Sequence, residues 1–346
     1  MSPPSLARIL GIDHPILQGG MTWVSRHALA AAVSEAGALG VIGSGGMEAE
    51  ELRAEIRALR ALTVRPFAVN VPLVDVRPSG DPGIVEAMIE VVLDERVPVV
   101  VTSAGSPSRF TPRLKAAGAT VIHVVPSVPL ARKAADAGVD VIVAESSESG
   151  GHIRSDGPAT FSLVPQVVDA VPIPVVAAGG ICDGRGVAAA FALGAHGVQL
   201  GTLFVATTEC NAHALFKAAV LAAESEGTAV YCRAHHASRA LATPAVERLV
   251  AMESAGASPA ELAEFRGRGR AREGCILGDV ERGILPAGAA VGLVHEIRPA
   301  AEVVRDLVQG FAETLASMSA AWDDHEDAGL TAPRTGRRGF PGGRAA

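Results

Sequence analysis

One histidine in this chain stands where a side chain can do chemistry. The run Val141-Ile-Val-Ala-Glu-Ser-Ser-Glu-Ser-Gly-Gly-His152 starts apolar and β-branched, turns polar, and closes on two glycines and an imidazole. A buried strand feeding a working loop has this pattern. Glycine carries no Cβ, so a flat ligand can approach the backbone at Gly150 and Gly151. His152, expected at the strand's C-terminal end, can exchange a proton near neutral pH, which makes it the candidate acid/base.

Other polar groups follow other apolar runs. Ala178-Gly179-Gly180-Ile181 and Gly201-Thr202 close two successive runs late in the alternation. Backbone N–H groups there can hold a phosphate, and Thr202 adds a hydroxyl. Glycines also make plain tight turns, but two such sites on neighbouring strands favour phosphate. Gln18-Gly19-Gly20-Met21-Thr22 offers a glutamine and open backbone to the edge of a planar ring, or is a turn with Met21 filling the core. Asn70 closes the apolar run Phe67–Val71 and either bonds a ligand or caps the turn.

The competing groups are weaker. His123 lies inside an apolar run and reads as a satisfied interior residue; His196, His213, His235, His236 and His295 have no glycine-lined loop. Glu145 and Glu148 are either partners of His152 or solvated, with solvation favoured for Glu148. Arg154 reads as a surface arginine before an anion contact. No spacing of His, Cys, Asp and Glu suits a metal. A nucleophile has no GxSxG elbow and no cysteine beside a histidine. What remains is a proton-moving His152 beside a planar, phosphate-anchored cofactor, which in a barrel suggests flavin mononucleotide, FMN.

Such residues need a frame that gathers them. Strand-like runs at 14–18, 39–42, 67–71, 97–101, 120–125, 139–144, 175–178 and 197–200 alternate with helix-like runs, of which Ala49–Leu62 places Leu52, Ile56 and Leu59 on one face. Eight strand–helix units in about 205 residues match the size of an α/β (β/α)8 TIM barrel. The strands are apolar without alternation, as in a parallel sheet covered on both faces. A doubly wound open sheet is the rival, and it lacks its GxGxxG after the first strand. Polar residues collect after the strands, where a barrel keeps its chemistry. Residues 1–210 are expected to form the barrel, 211–325 a helical appendage with no strong strand, and 326–346 a flexible tail.

The totals exclude several classes. The chain has 346 residues, 49% hydrophobic and only 3% aromatic, so a large core must be built from Ala, Val, Leu and Ile. A net charge of −7 argues against nucleic acid as the main partner. Cys182, Cys210, Cys232 and Cys275 are scattered, which reads as reduced thiols in the cytoplasm. The start, MSPPSLARIL, has no signal-peptide core, and no apolar run approaches the roughly 20 residues of a membrane span.

Taken together, Gln18-Gly-Gly-Met21, Pro66-Phe-Ala-Val-Asn70, Glu148-Ser-Gly-Gly-His152, Ala178-Gly-Gly-Ile-Cys-Asp-Gly184 and Gly201-Thr-Leu-Phe204 resemble the nitronate monooxygenase (2-nitropropane dioxygenase) family. That family takes in the flavin-containing bacterial enoyl-ACP reductases. The resemblance spans residues 10–320 and includes Gly278-Asp-Val-Glu-Arg-Gly283 and Ala287-Gly288. It implies an FMN-bound barrel. Gly20, Met21, Thr22, Asn70 and Gly151 would lie near the flavin ring, Ala178, Gly179, Gly180, Gly201 and Thr202 near the phosphate, and His152 would be the acid/base. It implies a small-molecule substrate, either an alkyl nitronate oxidised with O2 or, alternatively, an enoyl thioester reduced with NADH. NAD(P)H is then a candidate donor, and a homodimer a candidate assembly. Some nitronate monooxygenases carry lysine at the position of Val124 and threonine at that of Pro72; here Val124-Val-Pro-Ser-Val128 and Thr102-Ser-Ala-Gly-Ser-Pro107 resemble the enoyl reductase branch. Ser146 replaces a common glycine, and Arg154 and Asp156 replace a plainer loop.

Overall fold

The computed structural model describes residues 5–74, 83–234, 236–267 and 269–327, so the expected tail lies outside the described residues from 328 onward. Its strands are β1 (Ile16–Gln18), β2 (Gly40–Gly43), β3 (Phe67–Pro72), β4 (Val99–Ser103), β5 (Thr120–Val125), β6 (Val141–Glu145), β7 (Gly151–His152), β8 (Val175–Ala178), β9 (Gly197–Leu200), β10 (Thr228–Tyr231) and β11 (Ser238–Leu241). Eight of them form one parallel sheet in the order β1-β9-β8-β6-β5-β4-β3-β2. A parallel bridge between Leu17 and Leu39 joins the two ends. There Gln18 N–H donates to Leu39 O at 3.0 Å and Leu39 N–H donates to Ile16 O at 2.9 Å. The sheet therefore closes into the expected (β/α)8 barrel.

Side chains on one strand alternate between two cores. Leu17, Val41, Ala68, Val99, Val101, Ile122, Val141, Val143 and Val176 fill the barrel interior, with Leu6 and Leu10 of the helix Leu6–Leu10 packed against them. Their neighbours Ile42, Val69, Val100, Val121, Ile142 and Val175 face the outer helices, against Leu52, Ile56, Ile89 and Leu114. Both faces are dry, which is why the sequence shows no polar alternation.

The chain after β9 departs from expectation. The expected helical run without strands contains β10 and β11, which pair antiparallel, and β11 pairs in turn with β7. Each new strand has four residues, or two for β7, too few for alternation to register in sequence. Above them Tyr231, Cys232, Val246, Leu249, Leu262 and Ile284 form a separate small core. The helix Ala300–Asp327 returns to the barrel wall and packs on the helices Gly184–Ala192 and His27–Glu35, burying Val303, Val304 and Leu307. Among the described residues no helix is long and apolar enough to cross a membrane.

Candidate active site

The turn after β1 touches three other turns. A Cβ on Gly20 would lie 2.4 Å from Asn70 Cβ, so the backbone passes directly over the end of β3. Met21 Sδ lies 3.8 Å from the Cβ position of Gly201, after β9. Thr22 Oγ1 meets Gly45, after β2. Asn70 is buried and donates through Nδ2 to Ser103 Oγ at 3.3 Å. Gln18 turns into the sheet instead of toward a ligand. Its Oε1 accepts from Val41 N–H at 3.0 Å and its Nε2 donates to Ser25 Oγ at 3.0 Å. The barrel seam consumes that amide.

A second group of turns meets around Glu148. Gly179 and Gly180 have φ of +99° and +72°, which L side chains rarely adopt. Added Cβ atoms there would fall 2.4 Å from Ser146 Oγ and 2.9 Å from Glu148 Oε2. The turn after β8 thus lies tightly under the loop that leads to His152. Glu148 is half-buried, and its Oε2 accepts from Thr160 N–H at 2.8 Å, which corrects the solvated reading. Its backbone carbonyl accepts from Ala289 N–H at 2.9 Å. Gly288 N–H donates to Thr202 Oγ1 at 2.8 Å. The segment 287–289 therefore ties the His152 loop to the turn after β9, and the Thr202 hydroxyl keeps its own proton free to donate.

His152 itself sits in β7, opposite Ser238 of β11, not on the end of β6. Two residues of ribbon carry it across to the cap. Ile153 N–H donates to Ala237 O at 2.9 Å and Ser155 Oγ donates to Arg233 O at 2.9 Å. Gly151 has φ +83°, and a Cβ there would meet nothing within 4 Å. The imidazole edge is exposed, yet the cap and ribbon strip water from its other sides. That desolvation, with the charges of Arg266 and His236, holds its pKa below the usual histidine value. The neutral form of the His152 imidazole is thereby favoured.

Two more titratable groups stand at the mouth. His123 is buried and its Nδ1 bonds Thr102 Oγ1 at 2.8 Å; burial lowers its pKa to about 4, so it stays neutral. Glu145 ends β6, and burial raises its pKa to about 7 against the hydrogen bond of Ser149. A raised carboxyl stabilises the fold most below about 4.5 and loses that stabilisation as pH climbs through about 7. We expect Glu145→Gln to gain about 1–3 kcal/mol over the parent apoprotein at pH 8 and little at pH 4. Urea denaturation at both pH values measures this, and an equal difference at the two would refute it.

The expected site residues thus form two linked groups. Gly20 abuts Asn70, Thr22 abuts Gly45 and Met21 lies by Gly201, while Gly179 and Gly180 lie under the loop that leads to Gly151 and His152, to which Gly288 joins Thr202. Ala178 is buried at the end of β8. Arg154 is exposed and pairs with Asp156 at 2.7 Å, as a surface arginine does. His235 lies outside the described residues. Sequence reading missed Ser103, Arg239 and Arg266 as neighbours of this mouth. Only the Ala287-Gly288 pair had left a signal, and nothing in the sequence said which turn it joins.

Known proteins share this fold. A family model described as nitronate monooxygenase matches residues 4–310. FabK from Thermotoga maritima superposes with a TM-score of 0.85 at 42% identity, covering 91% of this chain and 98% of that one. A nitroalkane oxidase from Streptomyces ansochromogenes gives a TM-score of 0.78 at 31% identity, covering 90% and 99%. A Mycobacterium tuberculosis relative, "(3aS,4S,5R,7aS)-5-hydroxy-7a-methyl-1-oxo-octahydro-1H-indene-4-carboxyl-CoA dehydrogenase", is 33% identical over 88% of this chain and 94% of its own. A closed barrel, a glycine-lined mouth and a match over most of the length lead to one conclusion: this chain is an oxidoreductase that belongs to the nitronate monooxygenase family.

Proposed function

We propose that this oxidoreductase binds FMN at the barrel mouth and exchanges a hydride and a proton with an acyl thioester, with His152 as the acid/base. The residues present fit the cofactor. Ala178, Gly179, Gly180 and Gly201 would hold the phosphate through their backbone, and the free proton of Thr202 Oγ1 would add a bond. Gly20, Met21, Thr22, Asn70 and Gly151 would line the ring. FMN supplies two-electron chemistry when bound. The chain's own work is then to orient the substrate and move one proton. Neutral His152 Nε2 or Nδ1 takes a proton from the carbon beside the carbonyl when the substrate is oxidised, and returns it in the reverse direction.

The observation that carries the thioester reading is the open space over Gly151. His152 is exposed there, between the barrel mouth and the cap, and a Cβ on Gly151 would touch nothing. An acyl chain with its carrier needs such open backbone beside the acid/base, whereas a small nitronate does not. The full-length carboxyl-CoA dehydrogenase relative supports the same reading. Nitronate oxidation with O2, the first expectation from sequence, is supported by the family's description and by the nitroalkane oxidase neighbour. Anaerobic stopped-flow mixing separates the two. We expect NADH to bleach the flavin and crotonyl-CoA to restore its colour. Turnover of propyl-2-nitronate with O2, without bleaching by NADH, would replace this reading with the nitronate one.

A further inference from the structure

The cap brings a cluster of cations to the rim beside His152. Arg233 and His236 lie in the turn between β10 and β11, and both are exposed. Arg239 lies on β11 in register with Gly151. It donates through Nε to Ser147 O at 3.2 Å and through Nη1 to Thr228 Oγ1 at 3.0 Å. Arg266 ends the helix Pro259–Arg266, half-buried against the Cys232 thiol. Among the described residues none of Arg233, Arg239 and Arg266 is in an ion pair, whereas Arg26, Arg53 and Arg113 elsewhere each hold two or more carboxylates.

The carboxylates near this rim form no ion pair with it among the described residues, although the charge of Glu148 is felt at Arg239. Glu253 Oε1 accepts from the backbone N–H of Arg233, and its Oε2 is buried without a partner. Glu148 is committed to Thr160 N–H. Asp156 is committed to Arg154. The turn is also strained: Cys232 and His236 hold φ of +54° and +57°, unusual for non-glycine residues and commonest where function requires it. An acidic protein, net −7, thus concentrates unpaired guanidinium groups at one rim of its mouth. The charge of Arg266 also contributes to the lowered pKa of His152, after desolvation by burial.

We propose that Arg233 and Arg266, backed by Arg239, dock the adenosine pyrophosphate handle of a reactant whose other end reaches His152. Guanidinium forks match phosphate oxygens two at a time, and unpaired arginines need no carboxylate to be displaced first. Two reactants carry that handle, a CoA thioester and NAD(P)H, and the chemistry at the rim is the same for both. This inference rests on the thioester and hydride reading above for its ligand, but its test is binding and not turnover.

The test is calorimetric titration of the flavin-loaded full chain with CoA, with NADH and with inorganic pyrophosphate. The variants are Arg233→Ala, Arg266→Ala and the control Arg132→Ala, an exposed arginine on the helix Val128–Asp136. We expect each rim variant to weaken pyrophosphate binding about tenfold, the loss of one charge-assisted bond, and the control to leave it unchanged. Weakened CoA binding with unchanged NADH binding assigns the rim to CoA; the reverse assigns it to NADH; loss of both means the two share it. Unchanged affinity for all three ligands in both rim variants overturns the proposal. Among the described residues Arg233 is exposed with no side-chain partner, so its variant keeps the fold even where Arg266→Ala disturbs the cap. His152→Ala should bind CoA normally, so failure of the acid/base reading leaves this result readable.

Discussion

Replacing His152 with alanine is expected to leave a yellow protein that has lost turnover by about 10²–10⁴-fold, the usual worth of a positioned acid/base. The argument has two halves. The first is that the flavin should stay. His152 belongs to the short strand β7, and its backbone, not its ring, pairs with Ser238. No side-chain hydrogen bond ties the imidazole to the glycine turns that would hold the phosphate. Alanine at this position removes a ring from an exposed edge and leaves the ribbon intact, so stability should change by less than about 1 kcal/mol. The second half is that the proton step should fail. Burial, Arg266 and His236 favour the neutral form of this imidazole, ready to accept. The kcat/KM profile of the parent should therefore fall away on the acid side, below the ordinary histidine pKa. That limb should vanish in His152→Ala. His152→Gln, which keeps a polar side chain but cannot exchange a proton near neutral pH, should be as inactive as alanine. Steady-state rates across pH, with the flavin spectrum recorded beside them, give both answers. A variant that loses its flavin would make His152 structural, and one that keeps its rate would remove it from the mechanism.

How legible this was in sequence depends on the length of each element. β5, β8 and β9 match their expected residues at both ends, because a short apolar run closed by proline or glycine leaves no other register. The helices Ala49–Leu62 and Pro259–Arg266 match for a different reason. About four turns give a clear apolar face to the first, and the second opens on a capping box from Ser258 to Glu261. The inward or outward direction of Val99 against Val100 was not legible, since both faces of the sheet are apolar. Nor was the ribbon. β7 has two residues, and its partner β11 lies more than eighty residues downstream, a pairing that no local pattern encodes. The consequence reaches the site. His152 was read as hanging from a barrel strand, yet it is shared with the cap, and that sharing brings Arg233, Arg239 and Arg266 to its side. Gln18 failed in the opposite direction. Its residue type suggested a ligand, but the closing seam between β1 and β2 needed a donor and an acceptor. Polar residues at strand ends serve either purpose, and only the position of the neighbouring strand decides which.

The other large effect should come from Gly179→Ala, which is expected to weaken FMN binding roughly ten- to a hundredfold. Two costs act together there. Alanine at φ +99° is strained by about 1–3 kcal/mol wherever it occurs. The new Cβ would also sit 2.4 Å from Ser146 Oγ and 3.0 Å from the backbone N of Ser149. Ser146 Oγ cannot simply swing away, because it bonds Thr160 Oγ1 at 2.7 Å and accepts from Glu148 N–H at 3.2 Å. The loop carrying His152 must rise, and with it the link from Glu148 to Ala289 and from Gly288 to Thr202. The proposed phosphate turn and the proposed base would then move apart. Gly118→Ala isolates the first cost. Gly118 has φ +83° but nothing within 4 Å of its Cβ position, and it lies in the turn before β5, at the opposite end of the barrel. That variant should lose stability to strain and bind flavin normally. Fluorescence titration of the two apoproteins with FMN, alongside urea denaturation, distinguishes strain from crowding. Equal flavin affinity in the two variants would mean that the contact of Gly179 with the His152 loop plays no part in holding the cofactor.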